Sequence, residues 1–331
     1  MAFKVAGTNP RGDYNFEYEK EALEPIGAEV VTIRSSDPTE YAGLIADMDA
    51  VIIGTGMRYT SELMSKLTRC KVIMSGAVGF DRIDVDAATA AGILVINVPD
   101  VWVEEVADHA MMLLLAVARK LVYSNRIANT AQWPRVYEGF APIPRLQEST
   151  LGLVAFGTIA RNVARRAKAF GIRVIATDPV VPDSVFAEAG VERKSMDEVF
   201  RESDFVSAHV PHSKATHHLI GASHFAQMKP NSIFLNTGRG AVVDEPALIA
   251  ALKAGRPSAA GLDVLEQEPP QADNPLLSMP NVLVTPHTAY YSDAAFIASR
   301  RRVGEEIAAV LTGTKPRNPV NPAVLARLGL A

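Results

Sequence analysis

Short apolar runs alternate with longer amphipathic segments along most of the chain. Most of the short runs are continuously apolar, which is the pattern of strands covered on both faces of a sheet. They predict eleven strands, at Phe3–Ala6, Glu29–Ile33, Ala50–Ile53, Lys71–Met74, Leu94–Asn97, Leu151–Ala155, Arg173–Ala176, Phe205–Ala208, Ser232–Asn236, Ala259–Leu262 and Val282–Val284. Helical periodicity fills the segments between them, for example at Thr60–Leu67, Asp84–Ala91, Ile159–Phe170 and Glu245–Ala254. This alternation predicts parallel, doubly wound α/β sheets.

The number of strands and the chain length together indicate two domains. Eleven strands are more than one open sheet usually holds, and 331 residues exceed a typical single domain. One long helix is predicted over Val103–Leu121, and no strand signal occurs between residues 123 and 150. A second α/β block spans residues 151–285, and the tail is predicted to be helical over Asp293–Leu311. The pattern does not show where this last helix docks.

Composition and charge exclude several classes of protein. The formal net charge is −4 and no stretch is strongly basic, which argues against a general nucleic-acid binder. The single cysteine, Cys70, excludes a disulfide framework and a cysteine-based zinc site. The longest apolar run, Ala110–Ala118, has half the length of a bilayer crossing, and residues 1–20 contain no export signal. We expect a soluble, cytoplasmic protein that does not bind membranes.

A strand, a tight turn and a helix follow one another over residues 151–170. In this turn Gly157 would let a pyrophosphate approach the helix N-terminus, and Ala160 permits close helix–sheet packing. The motif is imperfect, because Ala155 replaces the first glycine of the common G-x-G-x-x-G pattern. The next strand ends at Asp178, where a carboxylate can bind ribose hydroxyls and repel a 2′-phosphate. NAD is therefore favoured over NADP, unless the turn is an ordinary connection and Asp178 only caps its loop.

Three polar residues follow later predicted strands: Arg239, Glu268 and His287. Open α/β sheets bind ligands at the carboxyl ends of their strands. An arginine, a carboxylate and a histidine there could bind an oxoacid, orient an imidazole and transfer a proton. Each residue also has a plainer interpretation, as a solvated loop arginine, a surface glutamate and a histidine beside a proline turn. Spacing alone does not choose between these interpretations.

In order and spacing these segments resemble the D-isomer-specific 2-hydroxyacid dehydrogenases. The resemblance covers nearly the whole chain and rests on four motifs, at residues 155–160 with Asp178, 236–240, 262–269 and 286–289. Residues 76–84 are similar to the family's substrate loop, and residues 103–109 to the start of its interdomain helix. Three further stretches resemble the branch that contains the C-terminal-binding proteins, which are transcriptional corepressors: 97–100, 104–108 and 290–292.

The resemblance implies two Rossmann-like, doubly wound α/β domains with parallel sheets and an interdomain cleft. Residues 1–98 plus 290–331 would form the substrate domain, and residues 99–289 the NAD-binding domain. A homodimer is expected to form through the cofactor domain, with the helix near residues 103–121 and the extension that contains Trp133. No metal is expected.

The implied activity is NAD-dependent interconversion of a 2-oxoacid and a D-2-hydroxyacid. His287 would act as general acid and base paired with Glu268, and Arg239 would bind the substrate. The implied substrate contacts also include Ala77, Val78, Gly79 and Tyr290. The implied cofactor contacts are Ala155, Phe156, Gly157, Thr158, Ile159, Asp178, Val210, Pro211, Thr216, Thr237, Gly238, Arg239, Asp263 and His287. The alternative is an NAD(H)-sensing, corepressor-like interaction module. Met57, Arg58 and Tyr59 remain open between substrate contact, packing and surface positions.

Overall fold

The computed structural model describes residues 2–10, 12, 14–54, 57–130, 133 and 140–330. The chain divides into two compact units, the first made of Met1–Trp102 with Ser292–Ala331 and the second of Val103–Tyr291.

The described residues form twelve strands and twelve α-helices. The strands are β1 (Phe3–Thr8), β2 (Ala28–Ile33), β3 (Ala50–Ile52), β4 (Val72–Met74), β5 (Leu94–Ile96), β6 (Thr150–Val154), β7 (Arg173–Thr177), β8 (Glu192–Arg193), β9 (Phe205–Ala208), β10 (Ile233–Asn236), β11 (Ala259–Leu262) and β12 (Val282–Val284). The helices are α1 (Glu17–Leu23), α2 (Pro38–Ile45), α3 (Ser61–Met64), α4 (Val85–Ala91), α5 (Val103–Ala118), α6 (Leu121–Ala128), α7 (Thr158–Ala169), α8 (Asp183–Ala189), α9 (Met196–Glu202), α10 (Ala222–Gln227), α11 (Glu245–Lys253) and α12 (Asp293–Leu311).

The first unit is a five-stranded parallel sheet with the order β2-β1-β3-β4-β5. Every residue of β3, β4 and β5 is buried, as their unbroken apolar sequences predict for a sheet covered on both faces. Helix α12 packs against α1 in this unit. Gly304 permits their close approach, since a Cβ there would lie 2.4 Å from the Glu19 carbonyl oxygen. The tail helix, whose docking site the sequence left open, is therefore part of the first unit.

The second unit is a seven-stranded parallel sheet with the order β12-β11-β10-β9-β6-β7-β8. The chain runs outward in one direction through β6, β7 and β8, and in the other through β9 to β12. The point of reversal lies between β6 and β9, which pair with Leu151 opposite Phe205. Doubly wound sheets bind ligands at such a point, outside the carboxyl ends of the strands. The predicted fold class is confirmed, since both units are α/β with parallel sheets.

Three local predictions were wrong. The predicted strands omit β8, a two-residue edge strand of exposed Glu192 and Arg193 with no apolar signal. The single helix predicted over Val103–Leu121 is interrupted, because Lys120 has φ of 52° and this left-handed conformation separates α5 from α6. The helix predicted over Thr60–Leu67 is shorter, because the chain continues after Met64 in i→i+3 turns.

Candidate active site

The turn after β6 presents open backbone at the N-terminus of α7. Gly157 is the N-cap of α7, and a Cβ placed on it would meet no protein atom within 4 Å. Its φ of −69° is one that any residue adopts, so the backbone conformation does not require glycine. A glycine that neither conformation nor packing demands leaves space for a ligand at the positive end of a helix.

Replacing Gly157 with alanine is expected to weaken NADH binding about 10- to 100-fold, because the methyl group would occupy the space that the pyrophosphate needs. The fold should be unaffected, since that methyl group meets nothing in the protein. Isothermal calorimetry with NADH and thermal unfolding of the same sample measure the two effects. An unchanged dissociation constant would remove Gly157 from the cofactor site.

Ala155 provides the matched control in the same turn. Its φ of 72° lies in the left-handed region that disfavours residues with a Cβ. Ala155→Gly is therefore expected to raise the free energy of unfolding by up to about 1 kcal/mol without weakening NADH binding. The missing first glycine of the motif thus corresponds to backbone strain in this chain.

Asp178 lies beside the same turn and is held there by backbone donors. Its Oδ2 accepts a hydrogen bond from the Phe156 N–H at 2.9 Å. Its Oδ1 accepts from the N–H groups of Val180 and Val181 at 2.8 and 3.1 Å. Burial raises the pKa of Asp178, but these three N–H groups and the charge of Arg193 outweigh it and hold the pKa below its usual value. The carboxylate thus caps its own loop, as the plainer interpretation has it, and also contacts the glycine turn.

The other predicted cofactor residues differ in what they can offer a ligand. The Phe156 ring is fully buried and stacks on Phe186, so only its backbone remains for a cofactor. Thr216 is engaged within its own loop, since its hydroxyl accepts from the Ser213 N–H and donates to the Pro211 carbonyl, both at 2.7 Å. Thr237 is different: its buried hydroxyl has no hydrogen-bond partner among the described residues.

The loop that carries this hydroxyl packs closely on a neighbouring segment. A Cβ on Gly238 would lie 3.3 Å from the Val210 carbonyl oxygen, so the loop after β10 packs on the segment after β9. Thr158 and Ile159 form the first turn of α7. The open space at Gly157, the ionised Asp178 and the unsatisfied Thr237 hydroxyl fit a dinucleotide cofactor.

A histidine–carboxylate pair lies in the same unit. His287 Nδ1 is 2.6 Å from Glu268 Oε2, and Glu268 Oε1 accepts a hydrogen bond from the Leu265 N–H at 3.1 Å. Burial raises the pKa of Glu268, but the hydrogen bond and charge of His287, the Leu265 N–H and the charge of Arg239 together bring it below its usual value. The carboxylate is therefore ionised at neutral pH and accepts from the Nδ1–H of His287, which leaves Nε2 for a substrate.

The loop that carries His287 is held by Asp263. The Asp263 carbonyl accepts from the His287 N–H at 2.8 Å, and the carboxylate accepts from the N–H groups of Thr288 and Ala289, both at 2.9 Å. These bonds stabilise His287 at a φ of 54°, a conformation that a non-glycine residue adopts only with support from its surroundings. Asp263 is 2% exposed, so its main visible role is to shape this loop.

Sequence reasoning missed two residues behind this loop. Thr285 donates its hydroxyl proton to Asp263 Oδ1 at 2.6 Å, and His109 Nε2 lies 2.9 Å from the same hydroxyl. Because the threonine proton is given to Asp263, His109 must donate to the threonine oxygen. Burial lowers the pKa of His109 more than Asp263 raises it, which suits a neutral donor. A histidine on the otherwise apolar face of α5 was the available signal.

Arg239 belongs to a loop that is folded by its own side chains. The Asn236 amide accepts from the Gly238 N–H at 3.0 Å and donates to the Arg239 carbonyl at 3.1 Å. The Arg239 guanidinium donates to the Gly238 carbonyl at 2.8 Å. Gly240 has no room for a side chain, since a Cβ would lie 1.9 Å from the Leu265 carbonyl oxygen. This contact packs the loop of Arg239 onto the loop of Glu268.

The three predicted catalytic residues are therefore brought to one edge of the sheet. They follow β10, β11 and β12, which are adjacent strands, and the turn after β6 opens at the carboxyl end of the same sheet. Tyr290 stands next to the pair, with its ring centroid 6.3 Å from that of His287 and an interplanar angle of 79°. The Tyr290 side chain is 40% exposed. An acid–base pair, a cation and a dinucleotide turn on one sheet suit nicotinamide-dependent oxidoreduction.

Comparison with known protein families agrees with this geometry. Residues 111–289 match the model of the D-isomer specific 2-hydroxyacid dehydrogenase NAD-binding domain. The chain belongs to this family. Its members include a D-3-phosphoglycerate dehydrogenase of Methanocaldococcus jannaschii, 40% identical over 300 residues. They also include a glyoxylate reductase of Thermococcus litoralis, 38% identical over 285 residues. The predicted family and its NAD(P)-type cofactor are confirmed, whereas the C-terminal-binding-protein branch stays a prediction.

This 2-hydroxyacid dehydrogenase homologue spans just over half the length of one of these relatives and most of the length of the other. The match to the M. jannaschii enzyme covers 90% of this chain but only 56% of that protein, whereas the T. litoralis match covers 85% and 86%. Among solved structures, a NADPH-dependent glyoxylate/hydroxypyruvate reductase of Sinorhizobium meliloti has a TM-score of 0.86 at 29% identity, covering 98% of both chains. A D-lactate dehydrogenase of Aquifex aeolicus, complexed with NAD and lactic acid, has a TM-score of 0.82 at 30% identity, covering 93% of this chain and 96% of that one.

The predicted substrate loop lies in the first unit, and hydrogen bonds hold the carbonyl groups of its first four residues, Gly76–Gly79. Its carbonyl groups all accept hydrogen bonds: Gly76 from Trp102 and Ser299, Ala77 from the Val98 N–H, Val78 from the Asn97 amide, and Gly79 from the Ser75 hydroxyl. The N–H of Ala77 lies 3.4 Å from the Ser75 hydroxyl, and those of Val78 and Gly79 have no partner within the described ranges. Consecutive N–H groups in a turn can bind an anion, and for this reason we call Ala77–Gly79 the nest.

The three residues whose role the sequence left open, Met57, Arg58 and Tyr59, differ in exposure. Met57 and Tyr59 are buried, and the Tyr59 hydroxyl lies 2.5 Å from that of Tyr41 and 3.3 Å from that of Thr8. Both are core residues of the first unit. Only Arg58 remains exposed to contact a ligand.

The described part of the chain lacks two other types of site. No helix there is long and apolar enough to cross a membrane. No group of three or more His, Cys, Asp or Glu side chains there is arranged to hold a metal ion.

Proposed function

We propose that this protein is an NAD(H)-dependent reductase of 2-oxoacids that forms D-2-hydroxyacids and catalyses the reverse oxidation with the same residues. The observation that carries the proposal is the His287–Glu268 pair, at 2.6 Å, on the sheet edge that also holds Arg239 and the dinucleotide turn. Family membership supports the reaction class. The D stereochemistry follows from the family alone.

When bound, the reduced nicotinamide supplies a hydride to C2 of the substrate. Electron density then moves to the carbonyl oxygen, and His287 Nε2 donates the proton that converts the alkoxide to a hydroxyl group. The ionised Glu268 holds Nδ1 and stabilises the positive charge of the imidazolium before the transfer. In the reverse direction the neutral imidazole accepts the hydroxyl proton.

Arg239 and the Ala77–Gly79 nest would bind the charged parts of the substrate. The guanidinium of Arg239 offers parallel N–H donors to carboxylate and carbonyl oxygens, and its charge opposes the negative charge that grows on the carbonyl oxygen. The nest of Ala77, Val78 and Gly79 would take a carboxylate oxygen through backbone N–H groups. Tyr290, next to His287, is the candidate contact for the substrate side chain.

The proposal is tested by following NADH oxidation over a panel of 2-oxoacids that runs from glyoxylate and hydroxypyruvate to phenylpyruvate and 4-methylthio-2-oxobutyrate. Turnover with a 2-oxoacid, and chiral analysis that finds the D-hydroxyacid, are expected. NADH binding without turnover of any substrate would instead favour the NAD(H)-sensing module. Absence of both turnover and NADH binding would contradict the proposal.

Asp178 would make NADH the preferred cofactor. Asp178→Asn is expected to weaken NADH binding and strengthen NADPH binding, so that the ratio of their dissociation constants shifts about 10- to 100-fold. The reason is that the variant loses a charged acceptor for the ribose hydroxyls and a repulsive charge toward a 2′-phosphate. Asparagine keeps one oxygen that can accept from the Phe156 N–H, but its NH2 group then faces the N–H groups of Val180 and Val181, so thermal unfolding of the variant is measured beside the titrations. Titration of both cofactors measures the ratio, and an unchanged ratio would contradict this role.

We also propose a homodimer through the second unit. A groove between α5 and α7 is lined by the apolar residues Met111, Met112, Leu115, Ala116, Leu121 and Phe170, together with the charged residues Asp108, Arg119 and Arg166. Leu121 is 57% exposed and Phe170 44% exposed, which is unusual for large apolar side chains that lie together. Association of two such faces would remove this apolar surface from water.

Leu121→Glu is expected to convert the dimer to a monomer, because the variant would bury a charge in the interface. Sedimentation velocity measures the change. Val180, which is also exposed and apolar in the second unit, gives the control Val180→Glu. A wild-type monomer, or a Leu121→Glu dimer, would contradict the proposed interface.

A further inference from the structure

The carbonyl oxygen of Gly76 accepts two side-chain hydrogen bonds from distant parts of the first unit. The indole N–H of Trp102 donates to it at 3.0 Å, and the hydroxyl of Ser299 donates at 2.7 Å. Trp102 lies at the end of the first segment of this unit, whereas Ser299 lies on α12. Both donors are buried, with Trp102 6% and Ser299 1% exposed, so solvent competes little for the carbonyl.

The orientation of this carbonyl fixes the next N–H group. A trans peptide is planar, so the C=O of Gly76 and the N–H of Ala77 point in opposite directions. Two donors on the carbonyl therefore aim the Ala77 N–H at the opposite face of the loop, where the Ser75 hydroxyl lies 3.4 Å from it. The Ala77 and Val78 carbonyls are held by the Val98 N–H and the Asn97 amide, which orient the next two N–H groups in the same way.

The backbone also lies close to α12 at this point. A Cβ on Gly76 would lie 3.2 Å from Val303 Cγ2 and 3.5 Å from Ser299 Oγ, so little space is left between the loop and the helix. The C-terminal helix therefore supports the loop by packing as well as by the Ser299 hydrogen bond.

We propose that Trp102 and Ser299 are positioning residues for the substrate carboxylate, acting together through the Gly76 carbonyl. This inference rests on the proposed function, since it requires the Ala77–Gly79 nest to bind the carboxylate of a 2-oxoacid. It assigns the tail helix a part in substrate affinity. Neither residue touches the substrate, and neither belongs to the unit that carries the dinucleotide turn.

The variants Ser299→Ala and Trp102→Phe each remove one donor and keep most of the side-chain volume. Each is expected to raise KM for the best 2-oxoacid of the panel about two- to tenfold, which corresponds to one hydrogen bond. The dissociation constant of oxamate, a 2-oxoacid analogue, should rise by the same factor in the presence of NADH. The dissociation constant of NADH should not change, because the nest is not part of the dinucleotide turn.

The double variant distinguishes a shared acceptor from two independent contacts. With one donor left, the Gly76 carbonyl stays oriented, but with both removed it is buried without a partner. The rise in KM is therefore expected to exceed the product of the two single effects. The control is Thr312→Val at the end of α12, which also removes a hydroxyl donor, here to the Ala308 carbonyl at 2.8 Å. This variant should keep the wild-type KM.

The outcomes separate the two proposals. If the wild type turns over no 2-oxoacid and does not bind oxamate, the proposed function and the inference both fail. If the wild type is active and the folded single and double variants keep its KM, the inference alone is overturned. A rise in the NADH dissociation constant in step with KM would overturn it too, because it would indicate a general loss of structure.

Discussion

Replacing His287 with asparagine is expected to lower kcat for 2-oxoacid reduction by a factor of about 10² to 10⁴ and to leave NADH binding in place. The variant has no group that can give a proton to the developing alkoxide. Asparagine is the informative choice because His287 has φ of 54°, and asparagine adopts this region more readily than alanine does. Loss of activity would then report on the imidazole and not on a displaced loop. Single-turnover kinetics and NADH titration measure the two effects.

His218 offers a matched control for this substitution. It also has a positive φ, 51°, and its Nε2 lies 2.7 Å from Glu266 Oε1, so a second histidine–glutamate pair exists in the same unit. His218→Asn removes an imidazole from a comparable setting without touching the proposed proton donor, and it should keep near wild-type kcat. Equal losses in the two variants, or loss of NADH binding in His287→Asn, would show that His287 has a structural role.

The sequence predicted the architecture because buried parallel strands are continuously apolar runs, which are easy to recognise. The strands Phe205–Ala208, Ala259–Leu262 and Val282–Val284 and the tail helix Asp293–Leu311 have the predicted bounds. Each is an apolar or amphipathic run with clear turn residues at its ends. Edge strand β8 has no such run, so neighbouring β7 and not its own sequence determines its conformation.

The interruption between α5 and α6 was not predicted, for a different reason. Lysine is a good helix former, so no residue pattern predicts the left-handed conformation of Lys120. Propensity is a weak guide where tertiary structure decides, and here it favoured a continuous helix.

The sequence predicted the chemical groups of the candidate site but not the residues that hold them in place by hydrogen bonds. Arg239 and His287 stand out because they are polar residues shortly after apolar strands, and Glu268 lies farther along the loop that follows a third such strand. The supporting residues do not stand out: Thr285 and His109 become meaningful only when folding brings Thr285 to 2.6 Å from Asp263 and His109 to 2.9 Å from the Thr285 hydroxyl. Trp102 and Ser299 are similar, since about 200 residues of sequence separate them and a shared carbonyl connects them. Such long-range polar contacts leave no periodic trace in a sequence.

Ala155 shows how a departure from a motif can be judged once its backbone is known. From the sequence, the missing glycine only weakened the dinucleotide motif. With φ of 72°, the alanine preserves the left-handed turn that a glycine would adopt more easily. The turn is thus retained at a cost in stability, and Gly157 remains the residue that a pyrophosphate would approach.

Arg239→Lys is expected to lower kcat/KM for 2-oxoacids by about 10² to 10³, with contributions from both a higher KM and a lower kcat. Lysine keeps the positive charge but replaces a planar set of donors by a single ammonium group, which cannot bind two oxygens in parallel. The ground state loses part of the carboxylate contact. The transition state also loses a donor aimed at the carbonyl oxygen as its charge grows, and this second loss reduces kcat.

The control for Arg239→Lys is Arg145→Lys in the same unit. The Arg145 side chain is 74% exposed and, among the described residues, pairs with Glu148 three residues away, a contact that lysine can also make. Steady-state kinetics should place Arg145→Lys at the wild-type values. A fall in kcat/KM that comes from KM alone would limit Arg239 to ground-state binding, and unchanged kinetics would exclude it from the site. A fall in kcat together with the fall in kcat/KM is the outcome that a cation acting on the developing alkoxide requires, because only a group that binds the transition state more tightly than the substrate raises kcat.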